Sequence, residues 1–160
     1  MILVTLGTQD KSFKRLLETI EELIKLKVIT EEVIVQAGLT TYHSEYMQIF
    51  DFMAADQFEK LLKQASVVIT HGGVGTIITA LKYDKVVIAA PRLKAYSEHT
   101  NDHQVEIIKK LSQDGCILPL WQMNKLEDLL TEAKNFKAMP FNSNTTNIIT
   151  LINDYIKTNS

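Results

Sequence analysis

The stretch VVITHGGVGTIITAL, Val67 to Leu81, runs through His71 and the glycines Gly72, Gly73 and Gly75 into a segment of helical period. Glycines at a strand-to-helix junction permit a sharp turn and let a ligand approach the backbone N–H groups. The first turn of the following helix offers unpaired N–H donors and a partial positive charge, a natural seat for an anion. Thr76 can add a hydroxyl donor, and His71 a ring N–H aimed at the same anion. The predicted chemistry is phosphate binding. It is not of the Walker A kind, because no Lys-Ser or Lys-Thr follows the glycines. It is also a poor dinucleotide fingerprint, because Ile78 stands at the third glycine position and the loop follows a mid-chain strand. The alternative is a tight turn whose glycines serve only packing.

A second group of reactive side chains lies in PRLKAYSEHTNDHQVE, Pro91 to Glu106, around another expected helix start. It contains Arg92, Lys94, Glu98, His99, Asn101, Asp102, His103 and Gln104. His99 and His103 are four residues apart, so with Glu98 or Asp102 they offer a zinc site if both face one way. Against zinc, His99 precedes the expected helix cap, no cysteine joins them, and the metalloprotease glutamate is missing. The competing reading is a polar patch: Gln104 and an acidic neighbour take sugar or ribose hydroxyls, while Arg92 or Lys94 faces negative charge. Asp102 and Glu106 would stabilise a helix N-terminus whatever the function.

Short apolar runs alternating with helical periods position these groups. Strands are predicted at Ile2–Leu6, Val33–Gln36, Met47–Phe52, Val67–Thr70, Val86–Ala90 and Ile117–Leu120. Helices are predicted from an N-cap at Ser12 to about Lys27, over Ala54–Ala65 and over Gly75–Tyr83. Others follow from about Thr100 to Asp114-Gly115, with Val105, Ile108 and Leu111 inward, and over Leu126–Phe136 and Asn147–Lys157. Strands alternating with helices imply right-handed crossovers, so the expected fold is α/β with an open, doubly wound, mainly parallel sheet. Ligands of such sheets sit beyond the carboxyl ends of the strands, where Gly7-Thr8, Ala37-Gly38, the 71–76 loop and the segment after Pro91 all fall.

At 160 residues and 46% hydrophobic composition the chain fits one domain over residues 1–160, with a buried core. A formal charge of −2 gives no whole-chain grip on nucleic acid or anionic lipid. Cys116 is the only cysteine, which excludes an internal disulfide and suits a cytoplasmic setting. Neither a signal peptide nor an apolar run of ~20 residues is present, so a soluble chain is expected.

HGGVGT at 71–76, PR at 91–92 and EHTNDHQ at 98–104, in that order, resemble the nucleotide-binding half of GT-B glycosyltransferases, in particular the family 28 C-terminal domain. ILVTLGTQDKSFKRLL at 2–17 and VIVQAG at 33–38 resemble the family's stand-alone subunits. Those serve eukaryotic dolichol-linked N-acetylglucosamine transfer and bacterial capsule or exopolysaccharide synthesis. The resemblance implies a Rossmann-like GT-B half that binds a UDP-sugar (UDP-galactose or UDP-N-acetylglucosamine) as substrate, with no cofactor and no obligatory metal. Gly72, Gly73, Gly75 and Thr76 would hold the diphosphate, and Gly7 and Thr8 would lie across the cleft. Phe52 and Met53 would lie near the uracil, while Gln104, Asp102 and His103 would approach the donor sugar or ribose. His71 would stabilise the leaving UDP; the general base is unassigned. Relatives often place a ribose-binding glutamate on the helix after the glycines. This chain has Ile78-Thr79 there, which leaves Thr79 or Glu98 as substitutes.

A GT-B enzyme needs two halves. The implied partner is a membrane-anchored subunit supplying the acceptor-binding half, with a lipid-linked saccharide as acceptor and no nucleic acid. The subunit would then be cytoplasmic and recruited to the membrane face by that partner, with the segment at about 147–157 docking either there or on its own sheet. The alternative is a non-catalytic nucleotide-binding or stabilising subunit of such a complex.

Overall fold

Runs such as Val33–Gln36 and Val86–Ala90 form strands because both faces of the sheet are covered, so near-continuous aliphatic sequence finds a dry environment on either side. The computed structural model describes residues 1–141 together with Thr150 and Asn153. In chain order these give β1 (Ile2–Thr5), α1 (Lys14–Lys25), β2 (Val33–Gln36), β3 (Gln48–Phe50), α2 (Ala55–Gln64) and β4 (Val67–His71). There follow α3 (Val74–Lys82), β5 (Val86–Ala90), α4 (His103–Gln113), β6 (Leu118–Pro119) and α5 (Leu126–Ala133). The sheet is parallel throughout, in the order β3-β2-β1-β4-β5-β6. Ile2 of β1 stands opposite Val33 on one side and Val67 on the other. The expected doubly wound α/β fold is present.

Alternating residues of each strand feed two cores. Ile2, Val4, Val35, Ile69 and Ile88 join Leu16, Leu17, Ile20 and Leu126 under α1 and α5. Leu3, Ile34, Val68 and Val87 join Leu62, Ile77, Ile107 and Ile108 under α2, α3 and α4. The chain therefore leaves β1 towards one face and β4 towards the other. The topological switch point therefore falls between these neighbouring strands, and the glycine loop leaves the sheet there at its carboxyl edge.

The expected element boundaries shift in three instructive places. Helix α1 starts at Lys14 with Phe13 at its cap, and Ser12 caps nothing. The Phe13 N–H donates instead to Thr40 Oγ1 at 3.1 Å, from the loop after β2. On α4 the inward residues are Gln104, Ile107, Ile108 and Leu111, with Val105 only half-buried. Strand β6 covers only Leu118–Pro119. The helix expected at 147–157 lies outside the described residues, apart from Thr150 and Asn153. Among the described residues no helix is long and apolar enough to cross a membrane.

A buried ionic cluster ties the loops together at the carboxyl edge. The Arg92 guanidinium is fully buried, donating to the carbonyls of Leu6 and Lys11 and, at 3.3 Å, of Glu98. Burial lowers its pKa to about 10, against the opposing pull of Glu98 and Asp10, so it remains a cation at neutral pH. Glu98, 4% exposed, takes a two-pronged contact from Arg15 and accepts the Leu93 N–H at 3.0 Å. Arg15 also donates to the Pro91 carbonyl at 3.0 Å. The Phe13 ring lies between the two guanidiniums, 5.2 Å from Arg15 and 5.1 Å from Arg92. Removing one member of a buried pair leaves the other desolvated and unpaired. Glu98→Ala should lower the unfolding free energy by about 2–3 kcal/mol in urea titrations. A loss below about 0.5 kcal/mol would show that the cluster is not a structural tie.

Candidate functional site

His71 is the last residue of β4 and is 7% exposed. Its ring fills the space that side chains at Gly7 and Gly73 would need. A Cβ would lie 2.4 Å from His71 Nε2 at Gly7 and 2.2 Å at Gly73. On the other ring edge, Nδ1 lies 3.4 Å from the Thr5 carbonyl and 3.4 Å from Thr70 Oγ1. A carbonyl only accepts, so Nδ1 can donate to Thr5, while the Thr70 hydroxyl can donate to or accept from the same nitrogen. Burial first, and then the Arg92 charge, lowers the His71 pKa to about 4. The structure thus puts a neutral ring beside the glycines.

Gly72 is bare for a similar reason. A Cβ there would come 2.5 Å from the Gln104 Cβ. Gln104, in the first turn of α4 and 1% exposed, accepts the Gly72 N–H at 3.1 Å and the Arg92 N–H at 2.9 Å through its single Oε1. Its carboxamide oxygen clamps two loops. Its Nε2 is buried with no partner among the described residues. Gly7 and Gly38 are left-handed, at φ 74° and 60°, and a Cβ at Gly38 would stand 2.1 Å from the Gly7 carbonyl oxygen. Loops after β1, β2 and β4 are thereby pressed into one stack.

Gly75 differs. It is exposed, and a Cβ there would meet nothing within 4 Å. Gly73 caps α3 without any side-chain hydrogen bond, and the Ile77 N–H makes the first intrahelical bond, to the Gly73 carbonyl at 3.2 Å. The N–H groups of Val74, Gly75 and Thr76 consequently have no intrahelical acceptor, beside the exposed Gly75 and the half-buried Thr76.

The remaining sequence candidates scatter in role. Thr8 is exposed in the loop after β1. Phe52 is exposed, and the Met53 N–H, expected near a base, is already given to Gln36 Oε1 at 3.0 Å. Arg92 and Glu98 are committed to the buried cluster and do not face outward. Asp102 accepts the Lys94 N–H at 3.0 Å, and His103 is half-exposed, with Nδ1 3.9 Å from Glu106. His99 is buried with Nδ1 accepting the Asn101 N–H at 3.2 Å, and burial lowers its pKa. One histidine buried and the other half-exposed do not make the zinc pair considered above. Among the described residues no group of His, Cys, Asp and Glu is placed to hold a metal. Arg15, Gln36 and Thr40 were not singled out in the sequence. Their partners lie 83, 17 and 27 residues away, and no local pattern marks such pairs.

The glycines separate by experiment. Gly73→Ala forces a methyl into the His71 ring and should destabilise the protein by at least about 2 kcal/mol. Gly75→Ala, on an open helix face, should be neutral or stabilise by up to about 1 kcal/mol. Thermal unfolding of both variants checks the contrast. For pH, the unfolded His71 protonates near 6.5 and the folded one near 4, so between these values the unfolded state binds more protons. Stability is complete above about pH 6.5 and falls as pH drops towards 4, with roughly 2 kcal/mol lost between pH 7 and pH 5. His99 adds a loss of the same sign. A His71→Asn variant should show a visibly shallower fall in urea midpoints across that range.

The geometry is shared with known proteins. The kitacinnamycin glycotransferase superposes with a TM-score of 0.60 at 16% identity, over 83% of this chain and 34% of that one. MurG of Acinetobacter baumannii gives 0.56 at 17% identity, over 82% of this chain and 41% of that one. The chain thus spans about a third to two fifths of these two proteins. The solution structure of ALG13 gives 0.57 at 19% identity, over 88% of both chains. At these identities the likeness is one of fold. A comparison with curated proteins finds no match. The family model of the glycosyltransferase family 28 C-terminal domain, in contrast, matches residues 1–157, so the chain belongs to that family.

Proposed function

We propose that this chain is the donor-binding subunit of a heteromeric, inverting glycosyltransferase. It takes UDP-galactose or UDP-N-acetylglucosamine and serves a lipid-linked saccharide acceptor in capsular or exopolysaccharide synthesis. The observation that carries the reading is the uncapped N-terminus of α3, at the carboxyl edge of the sheet beside the switch point between β1 and β4, in a member of this family. The Val74, Gly75 and Thr76 N–H groups and the helix dipole suit a diphosphate. In the transfer, an acceptor oxygen attacks the anomeric carbon as its bond to the β-phosphate oxygen breaks. Negative charge then grows on the leaving UDP, where fixed backbone donors stabilise it without a metal. An anion at this point also favours the protonated imidazole, which would donate towards the phosphate.

The general base is assigned to the partner, which would hold the acceptor. That partner is a membrane-anchored subunit with the acceptor-binding half, which would bring this chain to the cytoplasmic membrane face. The chain matches only a fraction of the two glycosyltransferases above, but most of ALG13.

An NMR titration of the isolated chain with UDP, ADP and GDP, in the presence of chelator, tests the reading. UDP should shift the Val74, Gly75 and Thr76 amides selectively. Gly75→Asp should weaken UDP at least about tenfold while the fold persists, because it sets a carboxylate against the phosphate. Equal response to all nucleotides, or none at millimolar concentration, would overturn the donor reading.

A further inference from the structure

The stretch of α3 that carries Gly75 and Thr76 forms one wall of a shallow groove of about 290 Å³, shared with α2. Phe58, Glu59, Thr79 and Tyr83 complete it. Glu59 is the groove's carboxylate, and its surroundings hold it ready. Tyr83 Oη donates to Glu59 Oε1 at 2.5 Å, and Lys63 Nζ approaches the same oxygen at 2.6 Å. Neither contact uses Oε2. The Lys63 hydrogen bond first, and Tyr83 second, hold the Glu59 pKa below the ordinary carboxylate range, so the group is charged at neutral pH.

Of the two substitutes expected for the family's ribose glutamate, only Thr79 lines the groove. Glu98 is buried against Arg15 and the Leu93 amide. Thr79 donates its hydroxyl proton back to the Gly75 carbonyl at 2.7 Å. On the UDP-sugar reading above, on which this step rests, a diphosphate at Gly75 and Thr76 leaves its ribose one bonded step away, in the adjoining groove. Ribose hydroxyls are donors, and a fixed carboxylate oxygen is their strongest side-chain acceptor.

We propose that Glu59, reaching across from α2 and oriented by Tyr83 and Lys63, accepts the ribose hydroxyls of the nucleotide and sets the preference for a ribonucleotide. The half-buried Phe58 supplies the apolar wall against which the sugar ring lies. Recognition of the ribose is thereby moved from the helix that holds the phosphate to the neighbouring one.

The test compares UDP, 2′-deoxy-UDP and 3′-deoxy-UDP on the wild-type chain and on Glu59→Ala, by amide shifts and fitted affinities. In the wild type, at least one deoxy analogue should bind about tenfold or more weaker than UDP, the size of a lost charge-assisted hydrogen bond. In Glu59→Ala the difference should shrink to within about threefold, while UDP still shifts Gly75 and Thr76. Glu59→Gln, which keeps the shape but not the charge, should fall between. Glu59 is half exposed, and unchanged shifts outside the groove verify that each variant is folded. Should UDP bind while the deoxy penalty is absent from the wild type or unchanged in Glu59→Ala, the Glu59 assignment is wrong and the donor reading stands. Should UDP fail to bind at all, both fall together.

Discussion

The contact between the His71 ring and two backbones governs this molecule. β4 ends on a histidine whose imidazole occupies the volume that side chains at Gly7 and Gly73 would need. That one contact fixes the loop after β1 against the start of α3, and so sets where the open helix N-terminus points. It also explains why the ring is neutral. A charged imidazole would have to sit desolvated, near the buried Arg92 cation, with only long contacts at Nδ1 to offset the loss.

Around this wedge the polar groups behave as ties. Gln104 joins the glycine loop to the segment after β5, Arg92 joins that segment to the loop after β1, and Glu98 locks Arg15 and Leu93. A loop cluster at the edge of a parallel sheet has no ladder of its own, so buried side chains must satisfy its backbone groups. The consequence is a tied frame at whose edge the first turn of α3 leaves its N–H groups without intrahelical acceptors. A preorganised set of N–H donors needs no rearrangement as charge develops on a leaving group, which is what electrostatic catalysis requires.

The sheet was legible in the sequence because parallel strands are buried on both faces and read as unbroken aliphatic runs, as at Val33–Gln36 and Val86–Ala90. The strand-to-helix turn at Gly72–Gly75 was legible for the same local reasons. Which glycine serves which purpose was not. Gly72 and Gly73 are bare for the sake of Gln104 and His71, while Gly75 alone faces open space. Arg92, Glu98 and Gln104 looked like ligand groups because charge and amide functions cluster in 91–106, yet their partners are the protein's own carbonyls, amides and Arg15. Polar residues beside a cleft have the same composition whether they hold a substrate or a loop, and only the three-dimensional pairing separates the two. The cap of α1 by Thr40 was hidden likewise, since its donor and acceptor are 27 residues apart.

The most direct measurement is a crystal structure of the chain soaked with UDP. The β-phosphate oxygens should lie about 2.7–3.1 Å from the Val74, Gly75 and Thr76 amide nitrogens, with His71 still seated between Gly7 and Gly73. A phosphate bound elsewhere on the chain, or a glycine loop that leaves the His71 ring to receive it, would contradict a preformed diphosphate seat.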